Sequence, residues 1–464
     1  MLGILGGRMA QPFFTFFLFF VSARILTTAQ FGVYVLLMGL LVLFQSMNSL
    51  GLERVLAREI GQHPDEEGAT IASVLCLSLP ASIVSGVLFL VLVWTFRSDY
   101  DLFPLTAIAI ISLPFSAAFQ FAESAFAAHN AGGRLFRISL VEQFVRVALS
   151  IAALLAGFGL YGLLGSYVLG RIIAGSGASY VFFRKSLAHP LRLDRRNLRY
   201  IWGRLAAFVP MTLLGNLYYR ADVIVLAYLL TESDIGIYGC AMRIVGFGFI
   251  VPESVVSASF PHFSRHLAKR DAVYETKTSS FLDLLLASGF LGSAGMAVFG
   301  GLLLTLFFGV KYAASGPILA ILAFMLPAYG VNVLAGLLFQ AAHREKTALA
   351  LVAVAVAVAF GSIALGAFAG GVSGAAIGNV LSMWLMALVH LALSRRANLM
   401  QLTTKSPASR SLVWLAAATI PLAGVPWQSG SVFCLAAAVA ALIPLFLGGL
   451  AGTLAPRRIR KAFA

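Results

Sequence analysis

Charge is what this sequence lacks. Of 464 residues only 11% are Asp, Glu, Lys or Arg, while 60% are hydrophobic and the mean hydropathy is +0.92. A soluble domain carries roughly 25% charged residues, so a water-facing globule is excluded and lipid is the solvent that suits most of this surface. Cysteine is nearly missing: Cys76, Cys240 and Cys434 lie far apart inside apolar runs, which leaves no disulfide framework and no metal-ligand spacing. Also missing are the alternating apolar and polar runs of a membrane barrel. The HExxH, GxSxG and P-loop patterns are absent too, as are paired Cys/His clusters. The chain is therefore expected to carry no cofactor, no metal and no catalytic group.

What is present is a series of apolar stretches about 20 residues long, each enough to cross a hydrocarbon core of about 30 Å as a helix. Fourteen spans are expected, near 4–23, 31–50, 70–96, 102–128, 136–157, 160–183, 205–230, 235–260, 279–308, 313–341, 347–369, 372–393, 411–428 and 431–452. The predicted class is an all-α integral membrane protein. Val21-Ser22-Ala23 has the look of a signal cleavage site, but no basic segment precedes the apolar run, and the first helix is read as retained.

The net charge of +15 finds its meaning in its distribution. Starting from a cytoplasmic N-terminus, the cytoplasmic loops and tail hold 25 of the 33 Lys and Arg residues and the opposite loops only Arg24, Arg97 and Lys311. This is the positive-inside pattern. It puts both termini in the cytoplasm and removes nucleic acid as a partner. The basic segment 184–204 also contains Leu187, Leu191, Leu193, Leu198, Ile201 and Trp202. It reads either as an interfacial stretch beside anionic headgroups or as a solvated hinge.

An internal repeat organises the chain. Leu26 to Tyr34 recurs as Leu230 to Tyr238, Tyr100 matches Tyr312, Ala127-Ala128-His129 matches Ala341-Ala342-His343, and Gly159 to Gly162 matches Gly371 to Gly374, at offsets of 204 to 214. Helices 1–6 and 7–12 are therefore two copies of one unit in the same orientation. Transporters built this way place substrate between the halves and rock them. The expected organisation is an N-terminal six-helix lobe at 1–183, a basic cytoplasmic linker at 184–204, a second six-helix lobe at 205–394, and two further helices with a basic tail at 395–464.

Several words carry a family resemblance: Ser22-Ala23-Arg24-Ile25-Leu26 followed by Phe31-Gly32-Val33-Tyr34, Gly51-Leu52-Glu53-Arg54 to Arg58-Glu59, Asp222 before Gly236-Ile237-Tyr238, and Phe307 to Tyr312. The chain resembles the O-antigen and exopolysaccharide (Wzx-type) flippases, within the superfamily that also holds lipid II flippases and multidrug extruders. The resemblance implies two six-helix lobes around a central cavity and an inner-membrane location. It further implies movement of a polyprenyl-diphosphate-linked oligosaccharide to the outer leaflet for surface polysaccharide synthesis. Polysaccharide polymerase or export machinery enters as a partner by resemblance alone.

Polar groups inside spans need a reason, because a charge at mid-bilayer costs several kcal/mol. Arg8, Gln11, Thr15 and Ser22 form one stripe on a Phe-rich first helix; the stripe suits a wet cavity, while Arg8 could equally snorkel to the headgroups. Glu142 and Arg146 stand four apart and can pair along one face. Arg171 has no acid in its own helix and is the leading candidate for substrate contact. Arg8, Gln11, Arg146, Arg171, Asn216, Arg220 and Arg243 are the substrate-binding candidates; Glu123, Glu142, Asp222 and Glu253 are candidates for ion coupling or charge pairing. The slight excess of arginine fits a diphosphate, whose oxygens accept bidentate bonds. An ion-coupled multidrug or solute exporter using the acids is the alternative. A membrane glycosyltransferase or ligase using Asp99 and Asp101 is the weaker rival, because the outer loops are short and the second copy lacks those acids.

Overall fold

The computed structural model describes residues 2–399, apart from 97, 130, 131, 186, 188, 189, 268–271, 343 and 398. The expected spans at 411–428 and 431–452 and the basic tail lie outside the described residues. Within them every regular element is helical and there is no strand. The order is α1 (Leu2–Ile25), α2 (Thr28–Ser49), α3 (Leu52–Gln62), α4 (Glu67–Trp94), α5 (Leu102–Ile110), α6 (Ser112–Ala128), α7 (Gly132–Leu155) and α8 (Gly159–Lys185). Then come α9 (Arg195–Leu229), α10 (Glu232–Leu267), α11 (Ala272–Phe308), α12 (Ser315–Ala323), α13 (Met325–Ala341) and α14 (Glu345–Arg396). Each expected span up to residue 393 falls on one of these helices or on a broken pair of them. Among the described residues, eight helical stretches, counting a broken pair as one, are long and apolar enough to cross a membrane. The protein is a multi-pass membrane protein.

By contacts the chain divides into two compact units, Met1–Gly236 and Ile237–Ala464. Each unit contains a broken helix. α5 and α6 are broken at Ile111, and α12 and α13 at Phe324. Pro114 and Pro327 stand three residues after these breaks, where each lacks the N–H that would close the preceding turn. In lipid a freed carbonyl must find another donor. Ser293 Oγ donates to Ala323 O at 2.6 Å and Trp384 Nε1 to Phe324 O at 2.9 Å. On the first break, Ser112 Oγ donates to Ala109 O at 2.6 Å and Asn48 Nδ2 to Leu113 O at 2.6 Å. α14 is itself two helices joined at Gly370 and Gly371, the latter at φ 57° and ψ −137°, a region open only to glycine.

The copies also differ. α10 runs unbroken, whereas α2 and α3, which cover the matching stretch, part at Leu50 and Gly51, with φ of 52° and 75°. α3 lies in a segment read from sequence as loop. It is amphipathic and buries Leu52, Val55, Leu56 and Ile60 in a cluster with Phe121, Phe126 and Phe182. α9 begins at Arg195, inside the segment expected to be linker, with Asp194 capping its first turn. Its opening turns are pinned within the first unit. Ile201 and Leu205 enter the same cluster, Tyr200 donates to Glu59 at 3.3 Å, and Asn197 Nδ2 donates to Thr70 Oγ1 at 3.4 Å. Leu191, Leu193 and Trp202 remain exposed.

Where α2 meets the first turn of α10, the matched glycines Gly32 and Gly236 let the backbones touch. A Cβ on Gly32 would lie 1.7 Å from the Glu232 carbonyl oxygen, and one on Gly236 2.5 Å from that of Thr28. Small residues of this kind are how membrane helices come close enough to pack. Gly32→Ala is therefore expected to abolish recovery of monodisperse protein from membranes. Gly61→Ala, where nothing lies within 4 Å, is expected to behave as wild type in the same size-exclusion assay.

Candidate functional site

The first unit holds a polar cluster inside its apolar helices. α7 and α8 lie close because Gly170 of α8 faces the stem of Arg146, where a Cβ would sit 3.2 Å from the Arg146 Cβ. Glu142 Oε1 lies 3.5 Å from Arg146 Nε, with the two side chains 2% and 4% exposed. Arg146 Nη2 donates to Gln143 Oε1 and, at 3.5 Å, to Thr15 Oγ1 of α1. Neither Arg146 Nε nor Glu142 Oε1 has a hydrogen-bond partner among the described residues, so their contact is an ion pair with spare donor and acceptor capacity.

One helix over, Arg171 Nε donates to the Tyr167 hydroxyl at 3.2 Å. Its guanidinium carbon is 5.4 Å from the centre of the Tyr167 ring and 5.7 Å from that of Phe119. Arg146 reaches the same Tyr167 ring, at 5.7 Å. Gln45 of α2 donates to Tyr167 OH at 2.7 Å and to Ser116 Oγ of α6 at 3.1 Å. Five helices (α1, α2, α6, α7 and α8) thus contribute to one network. Arg171 is only half-buried, whereas Arg146 is enclosed, so Arg171 is the more accessible of the two cations. Glu142 and Glu123 both attract it electrostatically.

The structure therefore brings together Arg146, Arg171 and Glu142, with Glu123 nearby. The other candidates stand elsewhere. Asn216, Arg220 and Asp222 are on α9: Asn216 Nδ2 donates to Thr212 O at 2.8 Å, Arg220 is half-buried, and the buried Asp222 accepts from Val223 N at 2.8 Å. Arg243 is half-buried on α10 in the second unit, and Glu253, on the same helix, is exposed. Arg8 and Gln11 lie on α1, and their side chains fall outside those described. Among the described residues, no group of three or more His, Cys, Asp or Glu could hold a metal ion.

Sequence reading missed Gln45, Ser116, Gln143 and Tyr167. Tyr167 was accessible, one turn before Arg171 on the same face. Gln45 and Ser116 are distant in sequence, and no local spacing announces them. In the second unit, the polar groups bond between helices: Asn379 Nδ2 to Tyr238 OH at 2.7 Å, Asn332 Nδ2 to Met383 O at 3.1 Å, and Asn332 Oδ1 with His390 Nδ1 at 2.8 Å. α14 carries no Asp, Glu, Lys or Arg between Lys346 and Arg395. At the offset of 212 given by the Gly159 and Gly371 match, Tyr167 and Arg171 correspond to Asn379 and Met383. The charged cluster belongs to one copy only.

A bundle of long apolar helices, with Arg146 and Arg171 set among them, defines a multi-pass membrane protein. The family model for polysaccharide biosynthesis proteins matches residues 2–267, more than half of the chain, and the chain belongs to that family. It is similar to the probable low-salt glycan biosynthesis flippase Agl15 of Haloferax volcanii, with 23% identity over 378 residues, covering 79% of this chain and 77% of that protein. The lipid II flippase MurJ, in an inward closed conformation, superposes with a TM-score of 0.75 at 12% identity, covering 97% of this chain and 98% of that one. An inward-facing multidrug resistance MATE family transporter gives a TM-score of 0.65 at 16% identity, covering 82% and 94%. A transporter of the same superfamily from Pyrococcus furiosus gives 0.60 at 15%, covering 85% and 94%. At these identities the solved structures show the shared fold.

Proposed function

We propose that the protein is a flippase. It carries a polyprenyl-diphosphate-linked oligosaccharide from the cytoplasmic to the outer leaflet of a bacterial inner membrane, by alternating access of its two lobes. The observation that carries this reading is the pair of guanidiniums, Arg146 and Arg171, gathered around Tyr167 within membrane helices. Guanidinium forks match phosphate oxygens, and the half-buried Arg171 presents such a fork. Family membership and the likeness to Agl15 support a glycan lipid as cargo. The lipid tail stays in the bilayer while the head crosses. The membrane potential helps, because moving two negative charges out of a negative-inside cell gains about 4–5 kcal/mol per 100 mV. The charge distribution supports cytoplasmic termini. Polysaccharide polymerase or export machinery is the partner expected downstream. The reading is of transport and not of catalysis.

A second reading, ion-coupled export of another solute, draws on the two carboxylates near Arg171 and on the MATE likenesses. Mass spectrometry of lipid-linked intermediates in cells lacking the protein separates the two. Accumulation of a completed polyprenyl-diphosphate oligosaccharide with loss of surface polymer is expected. Unchanged intermediates and normal polymer, in a strain without a redundant flippase, would overturn the flippase reading in favour of solute export.

A further inference from the structure

We propose that Tyr167 and Gln45 are positioning residues that hold the Arg171 guanidinium in a fixed pose for an anionic phosphate head, through a relay running Ser116–Gln45–Tyr167–Arg171 across α6, α2 and α8. The inference rests on the diphosphate reading above and adds the residues that give the site its selectivity. Arg side chains carry about 2 kcal/mol of rotamer entropy, and a free guanidinium on a half-buried helix face would sample many poses. Here three contacts restrict it. Its Nε bonds the Tyr167 hydroxyl at 3.2 Å, and its plane lies near the rings of both Tyr167 and Phe119. With Nε committed to Tyr167, the two terminal nitrogens are left as the edge that meets an anion. That edge is the bidentate one.

The hydroxyl would not fix anything if it were itself loose. Gln45 anchors it at 2.7 Å, and Ser116 anchors Gln45 at 3.1 Å. All three anchoring side chains are buried, Tyr167 and Gln45 to within 5% and 8% exposure and Ser116 to 2%. The relay crosses three helices, so a polar network costly to bury is spent on orienting one cation. Tyr167 has a second task. Its ring lies within 6 Å of both Arg171 and Arg146, and the ring's negative face offsets the repulsion between the two neighbouring cations. The second copy has Asn379 and Met383 at the matching positions, and there the amide bonds Tyr238 instead. The relay is therefore confined to the first lobe.

The experiment uses the purified full chain in nanodiscs with farnesyl diphosphate as the anionic probe and farnesol as its neutral counterpart. Wild type is expected to prefer the diphosphate, and Arg171→Ala to lose that preference. Tyr167→Phe keeps the ring but removes the hydroxyl, and Gln45→Leu removes the anchor. Each is expected to weaken farnesyl diphosphate binding about tenfold, the worth of one hydrogen bond to a charged group. Farnesol binding should not change, and a role in folding alone would lower the thermal midpoint while leaving the ratio of diphosphate to farnesol binding untouched. If Tyr167→Phe fails to fold, Gln45→Leu and Ser116→Ala carry the test. Variants that bind the diphosphate as wild type does, while Arg171→Ala does not, would overturn the relay and leave the diphosphate reading standing. A wild-type protein with no preference for diphosphate over alcohol would overturn both.

Discussion

Arg171→Ala should stop export of the lipid-linked saccharide while the protein still inserts, folds and resists heating. Arg171 is half-buried on α8, and its bonds run to Tyr167 and to ring faces rather than into a structural ion pair. Removing it leaves the buried Glu142 still paired with Arg146, so the cost to folding is small. The cost to a bound anion is large, since truncating one partner of a desolvated charge contact costs about 2–5 kcal/mol, a loss of roughly thirtyfold or more in transport. Arg171→Lys keeps the charge but not the fork, and should recover only part of the activity. Flipping of a fluorescent polyprenyl-diphosphate glycan in proteoliposomes, measured beside the thermal midpoint, checks both halves. An alanine variant with full transport would remove Arg171 from the site.

The largest stability effect is expected at Glu142. Its partner Arg146 is 4% exposed and closed in by Gly170 on the neighbouring helix. Glu142→Leu leaves that guanidinium buried without its counter-charge, and breaking a buried pair from one side costs about 3–5 kcal/mol. Adding Arg146→Met should restore most of the loss, because an apolar pair of similar volume replaces a buried ion pair at little or no cost. Urea or thermal unfolding of the two single variants and the double variant gives the coupling directly. A double variant as unstable as the summed singles would show that the pair is not a structural unit. The double variant answers a further question: if it folds but fails to transport, Arg146 belongs to the substrate's path as well as to the fold.

Spans were legible in the sequence because hydropathy over about 20 residues reports directly on the solvent a helix needs. The breaks in α5–α6 and α12–α13 follow from Pro114 and Pro327, and the kink in α14 from its paired glycines. α3 escaped because its eleven residues are too short and too polar to cross a bilayer, although Leu52, Val55, Leu56 and Ile60 carry a helical period. α9's early start escaped for a similar reason: Arg195 to Arg204 reads as a charged linker, and only the docking of Ile201 and Leu205 onto α3's cluster explains why it is ordered helix. At the candidate site, the Glu142 and Arg146 pairing was readable from its i, i+4 spacing. The meeting of Arg146 with Arg171 was not, since it depends on how α7 packs on α8 through Gly170. Gln45 and Ser116 were out of reach altogether, being brought to Tyr167 only by the folding of helices 71 and 122 residues apart from Gln45.

The Glu142, Arg146 and Arg171 cluster on α7 and α8 has no counterpart on α14, which is uncharged between Lys346 and Arg395, and for the flippase proposed above this bears on how fast the carrier can turn over. Passage through a membrane requires a cargo well deep enough to recruit and shallow enough to empty. Matching arginines at the repeat-equivalent positions would add contacts to a bound anion and lengthen its dwell. With the cluster in one unit only, release of an anionic head would require one set of bonds to break.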